Sequence, residues 1–336
     1  MRSARFDGPG AVALASLVLL LARAGPAPAC SICRCGDAAF NALGPDVYKA
    51  GAFRLALDWD RVEKESAVSE DAMAAVRVGR VLGRGPLEAS AATGRDHEVE
   101  NRFTATASYS FGETVNVVAR VPWSHRRLTT TDFAEGSTTT SSSSNLSDPE
   151  LQLFVRLWAA PFEPGLGRRG WVSVFGGVKT PWGRNDLSEG GVRLDEHLQS
   201  GTGSTDAFLG LAGLALLDES SALFLSAQVR RTGSNGHGYR YGNAVLANAA
   251  VEHKLGKVVD AVVELNFRHV GRDRIDDTGT LDTNTGGSLL YLSPRLLFDL
   301  GGGLVARAGV QIPVARSLYG DQTEKAVVTA GLTFLF

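Results

Sequence analysis

Three cysteines form the densest group of reactive side chains in the sequence. Cys30, Cys33 and Cys35 follow the pattern C-x-x-C-x-C. Thiolates this close together can converge on a soft metal ion, Zn or Cu(I), if a further ligand completes the site. Two other interpretations stay open: acylation of Cys30 at the start of an exported chain, and a disulfide that leaves one thiol over. A c-type haem is disfavoured because no histidine follows the C-x-x-C pair.

The remaining polar side chains form no recognisable catalytic arrangement. The segment Ser234 to His237 reads as a turn rather than as a hydrolase site. The acidic run from Asp273 to Asn284 lacks the register of a calcium loop and fits a solvated external loop. No nucleophile stands beside a base and an orienting group, so we expect no catalytic residue and no enzyme.

The composition narrows the class of protein. Lys and Arg number 34 against 36 Asp and Glu, which gives a formal charge of -2 and no basic face for nucleic acid. The 39 glycines and 12 prolines favour many short strands and tight turns.

The N-terminus has the pattern of an export signal. Arg2 and Arg5 precede an apolar stretch from Ala11 to Ala22, and Ala27-Pro28-Ala29 fits a small-x-small cleavage site. The apolar stretch is too short to span a bilayer as a helix. We therefore expect a signal peptide at 1–29, a Cys-containing periplasmic segment at 30–50 and a single domain at 51–336.

Most of that domain alternates apolar and polar residues with a period of two, which is typical of strands with one greasy face. Phe53, Leu55 and Leu57, for example, alternate with Arg54 and Asp58. The fifth, sixth and eighth segments alternate less clearly than the rest. The twelve segments are centred near residues 57, 106, 119, 154, 175, 210, 226, 247, 264, 294, 310 and 331.

The connections and the last residue favour a membrane barrel over a soluble sandwich, which would alternate in the same way. Short turns alternate with long polar loops such as 128–147 and 182–203, as in outer-membrane barrels. The final segment ends on Phe336, which resembles the assembly signal of Gram-negative outer-membrane proteins. We predict an all-β fold: a transmembrane, antiparallel, up-and-down β-barrel of about twelve strands with both termini periplasmic.

Aromatic residues near the ends of segments are candidates for the girdles at the two membrane interfaces. These candidates are Trp59, Trp123, Trp158, Trp171 and Tyr291.

Charged residues recur on the face opposite the greasy one, which would be the inside of a barrel. They could line a polar passage, or they could form an ion-pair network that plugs a narrow barrel, because twelve strands lie between filled and wide-channel barrels. The candidate lumen-lining residues are Arg54, Asp58, Arg120, Arg156, Glu264, Arg268, Arg295 and Arg307.

Several stretches resemble a known family in their order along the chain. They are VVARVPWSHR (117–126), LSDPELQLFVR (146–156), GGVKTP (176–181), GTGS (201–204), YRYG (239–242) and LVARAGVQIP (304–313). Together they resemble the outer-membrane β-barrel transporters akin to the phenol-degradation meta-pathway barrels, and the C-x-x-C-x-C-G-D segment resembles one branch of that group. The resemblance implies a barrel with a transport role and supplies no catalytic residues.

The sequence thus predicts a passive outer-membrane channel or transporter for a small solute, with a lumen lined by Arg, Asp and Glu. The alternative is a plugged barrel that binds metal or docks a partner through its cysteines. The expected partners are outer-membrane lipid, a small solute and, through Phe336, the outer-membrane assembly machinery; nucleic acid is not among them.

Overall fold

The computed structural model describes residues 50–68, 94–163, 167–194, 196–275, 279–282, 285–320 and 322–336. Within these residues, twelve antiparallel strands form one barrel. They are Phe53–Val68 (β1), Gly94–Phe111 (β2), Val115–Asp132 (β3), Glu150–Ala159 (β4), Gly170–Lys179 (β5), Asp206–Leu216 (β6), Ser221–Arg231 (β7), Ala244–Lys254 (β8), Val259–Val270 (β9), Gly287–Gly301 (β10), Leu304–Leu318 (β11) and Val327–Leu335 (β12).

The barrel closes because β1 pairs with both β2 and β12. Arg54 lies opposite Ser108 on one side and opposite Leu335 on the other. Closure pairs the backbone of the first and last strands, which satisfies the rule that no free strand edge may face hydrocarbon. This confirms the predicted fold class, and each of the twelve predicted segments is a barrel strand.

The two ends of the barrel differ in their connections. Tight turns join β2 to β3, β6 to β7, β8 to β9 and β10 to β11, and we call this the short-turn end. At the last of these turns, Gly301, Gly302 and Gly303 have φ values of 80°, 62° and 82°, a backbone conformation that favours glycine. β1 begins and β12 ends at this same end, which also carries the longer connection 160–169 from β4 to β5, and the remaining connections lie at the opposite, long-loop end.

The long-loop end carries further ordered segments. The strand Thr138–Leu146 pairs with β3 from Trp123 to Thr131, so much of the predicted polar loop 128–147 is a hairpin. A 3₁₀ turn covers Glu196–Leu198, and among the described residues no helix is long and apolar enough to cross a membrane. The other short strands at this end are Ser188–Glu189, Val192–Arg193, Tyr239–Arg240, Arg274–Ile275, Thr280–Leu281 and Gln322–Glu324, whereas Phe162–Glu163 and Gly167–Arg168 lie in the connection from β4 to β5 at the short-turn end.

Candidate functional site

The outward-facing side chains form an apolar band with an aromatic row at its long-loop border. Trp59, Phe103 and Trp123 lie in register on β1, β2 and β3. Immediately beyond this row the outward positions become polar, with Arg61, Asn101 and His125 again in register. An apolar surface that stops sharply at an aromatic row is typical of a membrane interface.

A second aromatic group marks the border at the short-turn end. The ring of Phe336 lies 5.4 Å from that of Phe53 and 4.5 Å from that of Phe334, while the rings of Tyr109 and Phe111 are 4.6 Å apart. Phe336 also donates its backbone N–H to the carbonyl oxygen of Phe53, at 2.9 Å. The terminal residue therefore belongs to the seam that closes the barrel; its recognition by assembly machinery stays a prediction.

Two of the five predicted girdle residues do not face outward. Trp158 is 56% exposed on the outer surface, but Trp171 is 3% exposed and Tyr291 is 2% exposed. Trp171 shares its side of β5 with the buried Ser173, and Tyr291 shares its side of β10 with the buried Ser293. The assignment of Trp171 and Tyr291 to a girdle is wrong because alternation along their strands turns both rings into the barrel.

The inward face of β3 to β9 holds a cluster of apolar side chains, which we call the apolar cluster. The rings of Phe154 and Phe175 stack with their centroids 4.7 Å apart, and Trp171 meets Phe224 edge to face at 6.3 Å. The interior is therefore only partly lined by charges. The members of the cluster are Val118, Phe154, Trp171, Phe175, Phe208, Ala212, Leu214, Phe224, Ala250 and Val262.

Towards the long-loop end, the interior changes to buried charges, and the tightest group surrounds Lys179. Its Nζ lies 2.8 Å from Oδ2 of Asp148 and 3.2 Å from Oδ2 of Asp206, and it hydrogen-bonds to the hydroxyl of Thr202. It also donates to the carbonyl oxygen of Ser204 at 3.1 Å. We call these five residues the lysine cluster. Two carboxylates and two oxygen acceptors replace the water that a buried ammonium loses.

The lysine cluster holds the two ends of the loop 180–205 together. Asp148 accepts hydrogen bonds from the backbone N–H of Gly183 at 2.9 Å and from that of Thr202 at 2.8 Å. Gly201 approaches Gly183 so closely that a Cβ on Gly201 would lie 2.5 Å from its backbone, so only glycine fits there. The loop is thereby closed at its base.

The stretch 196–202 of this loop reaches across the long-loop mouth from β3 to the connection after β7. Arg126 of β3 donates to the carbonyl oxygen of Gln199 at 2.7 Å, and Ser143 donates to that of Leu198 at 2.9 Å. On the other side, the Tyr241 hydroxyl donates to the carbonyl oxygen of Glu196 at 2.9 Å. Since Arg126 is an inward-facing residue, the loop narrows the opening of the barrel.

A further buried contact joins two more of the long loops. The hydroxyl of Tyr239 donates to Oδ2 of Asp273 at 2.7 Å, and the backbone N–H of Gly242 donates to Oδ1 at 2.7 Å. Burial and the neighbouring Asp273 carboxylate raise the pKa of Tyr239 far above its usual range. Tyr239 therefore keeps its proton, and with it the hydrogen bond, at all physiological pH values.

All eight charged residues that were predicted to line a lumen lie on the inward-facing side of their strands. The structure joins two pairs from within that set: Arg307 donates from Nε to Oδ1 of Asp58 at 2.9 Å, and Arg295 lies 3.4 Å from Oε2 of Glu264. Their use as the lining of a passage stays a prediction.

Three of the other four residues have partners outside the predicted set. Arg268 lies 2.9 Å from Glu324, Arg120 lies 3.9 Å from Glu150, and Arg156 lies 3.3 Å from Glu113. Arg54 has an interaction of its own as well. Positive charge in the interior is thus largely balanced by carboxylates.

Sequence reasoning from charge alternation missed the lysine cluster and its neighbours. The signal was nevertheless in the stretches that carry the family resemblance. Asp148 stands in LSDPELQLFVR, Lys179 in GGVKTP, Thr202 in GTGS, and both Tyr239 and Tyr241 in YRYG. The fold brings these separated stretches together around the long-loop mouth.

The three cysteines lie outside the described residues, and so does their proposed metal site. Within the described part of the chain, no group of three or more His, Cys, Asp or Glu side chains is arranged to hold a metal ion.

A closed twelve-strand barrel with an apolar outer band between aromatic borders is an outer-membrane β-barrel in its fold. Within this class, the chain belongs to the family described as "Putative MetA-pathway of phenol degradation", whose model matches residues 72–320, well over half of the sequence. This match confirms the family resemblance found in the sequence.

The comparison with solved structures gives matches at low sequence identity, and the first of the following two shares the fold. An outer membrane channel from Pseudomonas putida F1 is 12% identical with a TM-score of 0.60, and the match covers 88% of this chain and 100% of that one. The KdgM porin is 7% identical with a TM-score of 0.41, covering 83% and 98% of the two chains. No curated protein sequence matches the chain.

Proposed function

We propose that this protein is a passive outer-membrane channel for a small solute. The carrying observation is the contrast between its two faces: the outside is apolar between two aromatic borders, while the inside holds charged, hydroxyl and amide side chains beside the apolar cluster. The outward apolar stretch 103–111 of β2 covers about 20 Å along a barrel axis at ordinary strand rise and tilt. That height is close to the apolar band of outer-membrane barrels.

The size and lining of the interior support a small solute. Twelve strands enclose more space than the filled eight-stranded barrels and less than the wide sixteen-stranded ones. The apolar cluster and the loop 180–205 narrow that space further. Passage needs no energy source in this proposal, because the solute moves down its own concentration gradient, and transport rather than catalysis is the role.

Conductance in planar lipid bilayers tests the proposal. We expect the purified full chain, folded in detergent and showing heat-modifiable migration, to insert and give discrete current steps. Because positive and negative interior charges nearly balance, a panel of anions and cations should show weak charge selectivity.

Freeing the loop 180–205 provides the matched comparison. Replacing Arg126 and Ser143 with alanine removes two hydrogen bonds to its carbonyl oxygens, so the steps should become larger. A heat-denatured sample is the control for leaks. Folded protein that inserts and yet shows no steps, with or without these substitutions, would refute the channel.

A further inference from the structure

The wall formed by β1, β2 and β3 rises beyond the aromatic row at the long-loop end. These strands have 16, 18 and 18 residues, whereas β4 to β9 have 10 to 12. β2, for example, continues from Phe103 in the aromatic row as far as Gly94. The hairpin strand Thr138–Leu146 pairs with β3 over this height and widens the wall. A polar outer surface therefore stands above the apolar band on one side of the barrel.

The outward positions directly above the aromatic row carry a set of hydrogen-bond donors. His125 of β3 lies in register with Asn101 of β2 on one side and with Ser144 of the hairpin on the other. One step further from the apolar band, Arg127 lies beside Ser142. Arg127, Ser142 and Ser144 are exposed, while the other two are half-buried. We call these five residues the outer patch.

The positive charge of Arg127 is not compensated by a carboxylate. On the outward side of β1, β2 and β3 the carboxylates are Glu63 and Glu65. Glu63 lies 2.9 Å from Arg61, and Glu65 lies 2.7 Å from Lys325. Glu63 is also two strands away from Arg127, about 10 Å at ordinary strand spacing. Within the described residues Arg127 forms no ion pair, so its guanidinium is available to an anion outside the barrel.

Trp123 joins the outer patch to the apolar band beside it. Its indole Nε1 donates to Oγ of Ser144 at 3.3 Å. Because that oxygen accepts the indole bond, the Ser144 hydroxyl can donate its own proton to a ligand. Trp123 and Phe103 are 47% and 45% exposed, and successive outward residues on a strand are about 7 Å apart. Hydrogen-bond donors thus stand next to a greasy surface, an arrangement that fits an amphiphile with an anionic head group.

We infer that the outer patch binds a phosphate of lipopolysaccharide, the phosphorylated glycolipid of the outer leaflet. With the long-loop end facing out of the cell, as is usual for outer-membrane barrels, the acyl chains cover Phe103 and Trp123. The phosphate pairs with Arg127 and accepts hydrogen bonds from His125 and Ser144. The inference goes beyond the proposed function, because it concerns the outer surface and holds whether or not the barrel conducts.

Two features favour this glycolipid over other anions. A free phosphate has no acyl chains to cover the aromatic row, so it gains only an exposed charge pair, which is weak in water. Beyond Arg127 the wall continues with Thr129 and Thr140, whose hydroxyl oxygens lie 3.3 Å apart on the outward side. Such hydroxyls can bond to the sugars that carry the phosphate, and a glycerophospholipid has no such sugars.

Titration of the full chain with lipid A in detergent, followed by native mass spectrometry, tests this assignment. The protein is refolded from inclusion bodies, so that it carries no lipid from the cell. We expect diphosphorylated lipid A to bind more tightly than its dephosphorylated form and more tightly than phosphatidylglycerol. Inorganic phosphate at millimolar concentration should not displace it.

Three variants locate the binding site. Arg127→Gln should weaken lipid A binding about fivefold, the effect of one basic side chain at an anionic lipid surface. Arg127→Lys keeps the charge and should stay within about twofold of the unmodified protein. Arg231→Gln is the matched control: it changes an exposed arginine at the long-loop end of β7, opposite Ala207 and outside the patch, and should leave binding unchanged.

Heat-modifiable migration establishes that each variant is folded. Unchanged binding in Arg127→Gln, or equal weakening by Arg127→Gln and Arg231→Gln, would overturn the outer patch. Equal binding of dephosphorylated lipid A or of phosphatidylglycerol, or displacement by inorganic phosphate, would overturn the assignment to lipopolysaccharide. None of these measurements depends on current, so their failure leaves the channel proposal to the conductance experiment.

Discussion

A single strand, β5, crosses two regions of the interior that are stabilised in opposite ways. Near the short-turn end its Trp171 and Phe175 pack into the apolar cluster, where contact between rings supplies the stability. At the long-loop end its Lys179 lies between two carboxylates, and there the pairing of opposite charges supplies the stability. All three side chains point into the barrel, but the polarity of the inward positions changes from one end of the strand to the other.

This difference shows what hydropathy alternation measures. Alternation between apolar and polar residues reports the two faces of a strand only where the inner face is polar. Where the inner face joins an apolar cluster, both faces are apolar and the pattern fades, although the strand is equally regular.

Breaking the charged region should have the largest effect. Lys179→Met leaves Asp148 and Asp206 buried without their cation, and we expect the free energy of unfolding to fall by about 4 kcal/mol. Urea titration of the protein in phospholipid vesicles, followed by tryptophan fluorescence, measures this change. Cleavage of the loop 180–205 by protease should increase in parallel, since its base is tied to the same cluster.

The control lies in the same loop. Arg184 pairs with Asp186 at 2.8 Å, but both side chains are more than half exposed, so Arg184→Met should cost about 0–1 kcal/mol. Equal losses for Lys179→Met and Arg184→Met would contradict the view that burial makes the lysine cluster important.

Breaking the apolar region should have a smaller effect. Phe154→Ala removes a ring that stacks on Phe175, and we expect a loss of about 3 kcal/mol in the same titration. Phe133→Ala makes the same chemical change at a residue that is 54% exposed beyond β3, and it should lie within about 0.5 kcal/mol of the unmodified protein. If both variants lost equally little, the interior would not depend on this packing.

The comparison also explains how much of the fold could be predicted from the sequence. The strands with polar inner faces, such as β2 with Thr104, Thr106 and Ser108, are plain in the alternation. The three indistinct segments became β5, β6 and β8, whose inner faces include Phe175, Phe208 and Leu246. The number of strands was still predicted correctly, because the turns and the spacing between segments indicated these three strands as well.

The hairpin above β3 shows a second limit. The run 137–144 consists entirely of Ser and Thr, so its lack of apolar residues predicts a loop. Thr nevertheless fits a pleated strand, and Thr138–Leu146 pairs with β3 beyond the aromatic border, where neither face needs to be greasy. Periodicity is uninformative when both faces of a strand meet polar surroundings.

For the candidate site, alternation predicted the direction of the charged side chains but not their partners. Arg307 and Asp58 meet although 249 positions separate them, because the barrel closes between β12 and β1. Such pairs depend on the register between strands, and that register could not be predicted from a single sequence. The lysine cluster depends in addition on how the loop 180–205 folds back.

The smallest effect should come from a single hydrogen bond, which the neutral hydroxyl of Tyr239 donates to the buried carboxylate of Asp273. Tyr239→Phe removes one donor, so we expect a loss of about 1.5 kcal/mol at pH 7. Because the pKa of Tyr239 is raised in the folded state, its stabilisation is complete below about pH 10 and declines as pH rises further. Tyrosinate absorbance should accordingly be the same for the folded protein and the variant up to about pH 10. An extra tyrosine titrating near its ordinary pKa in the unmodified protein would show that the loops do not shield this hydroxyl.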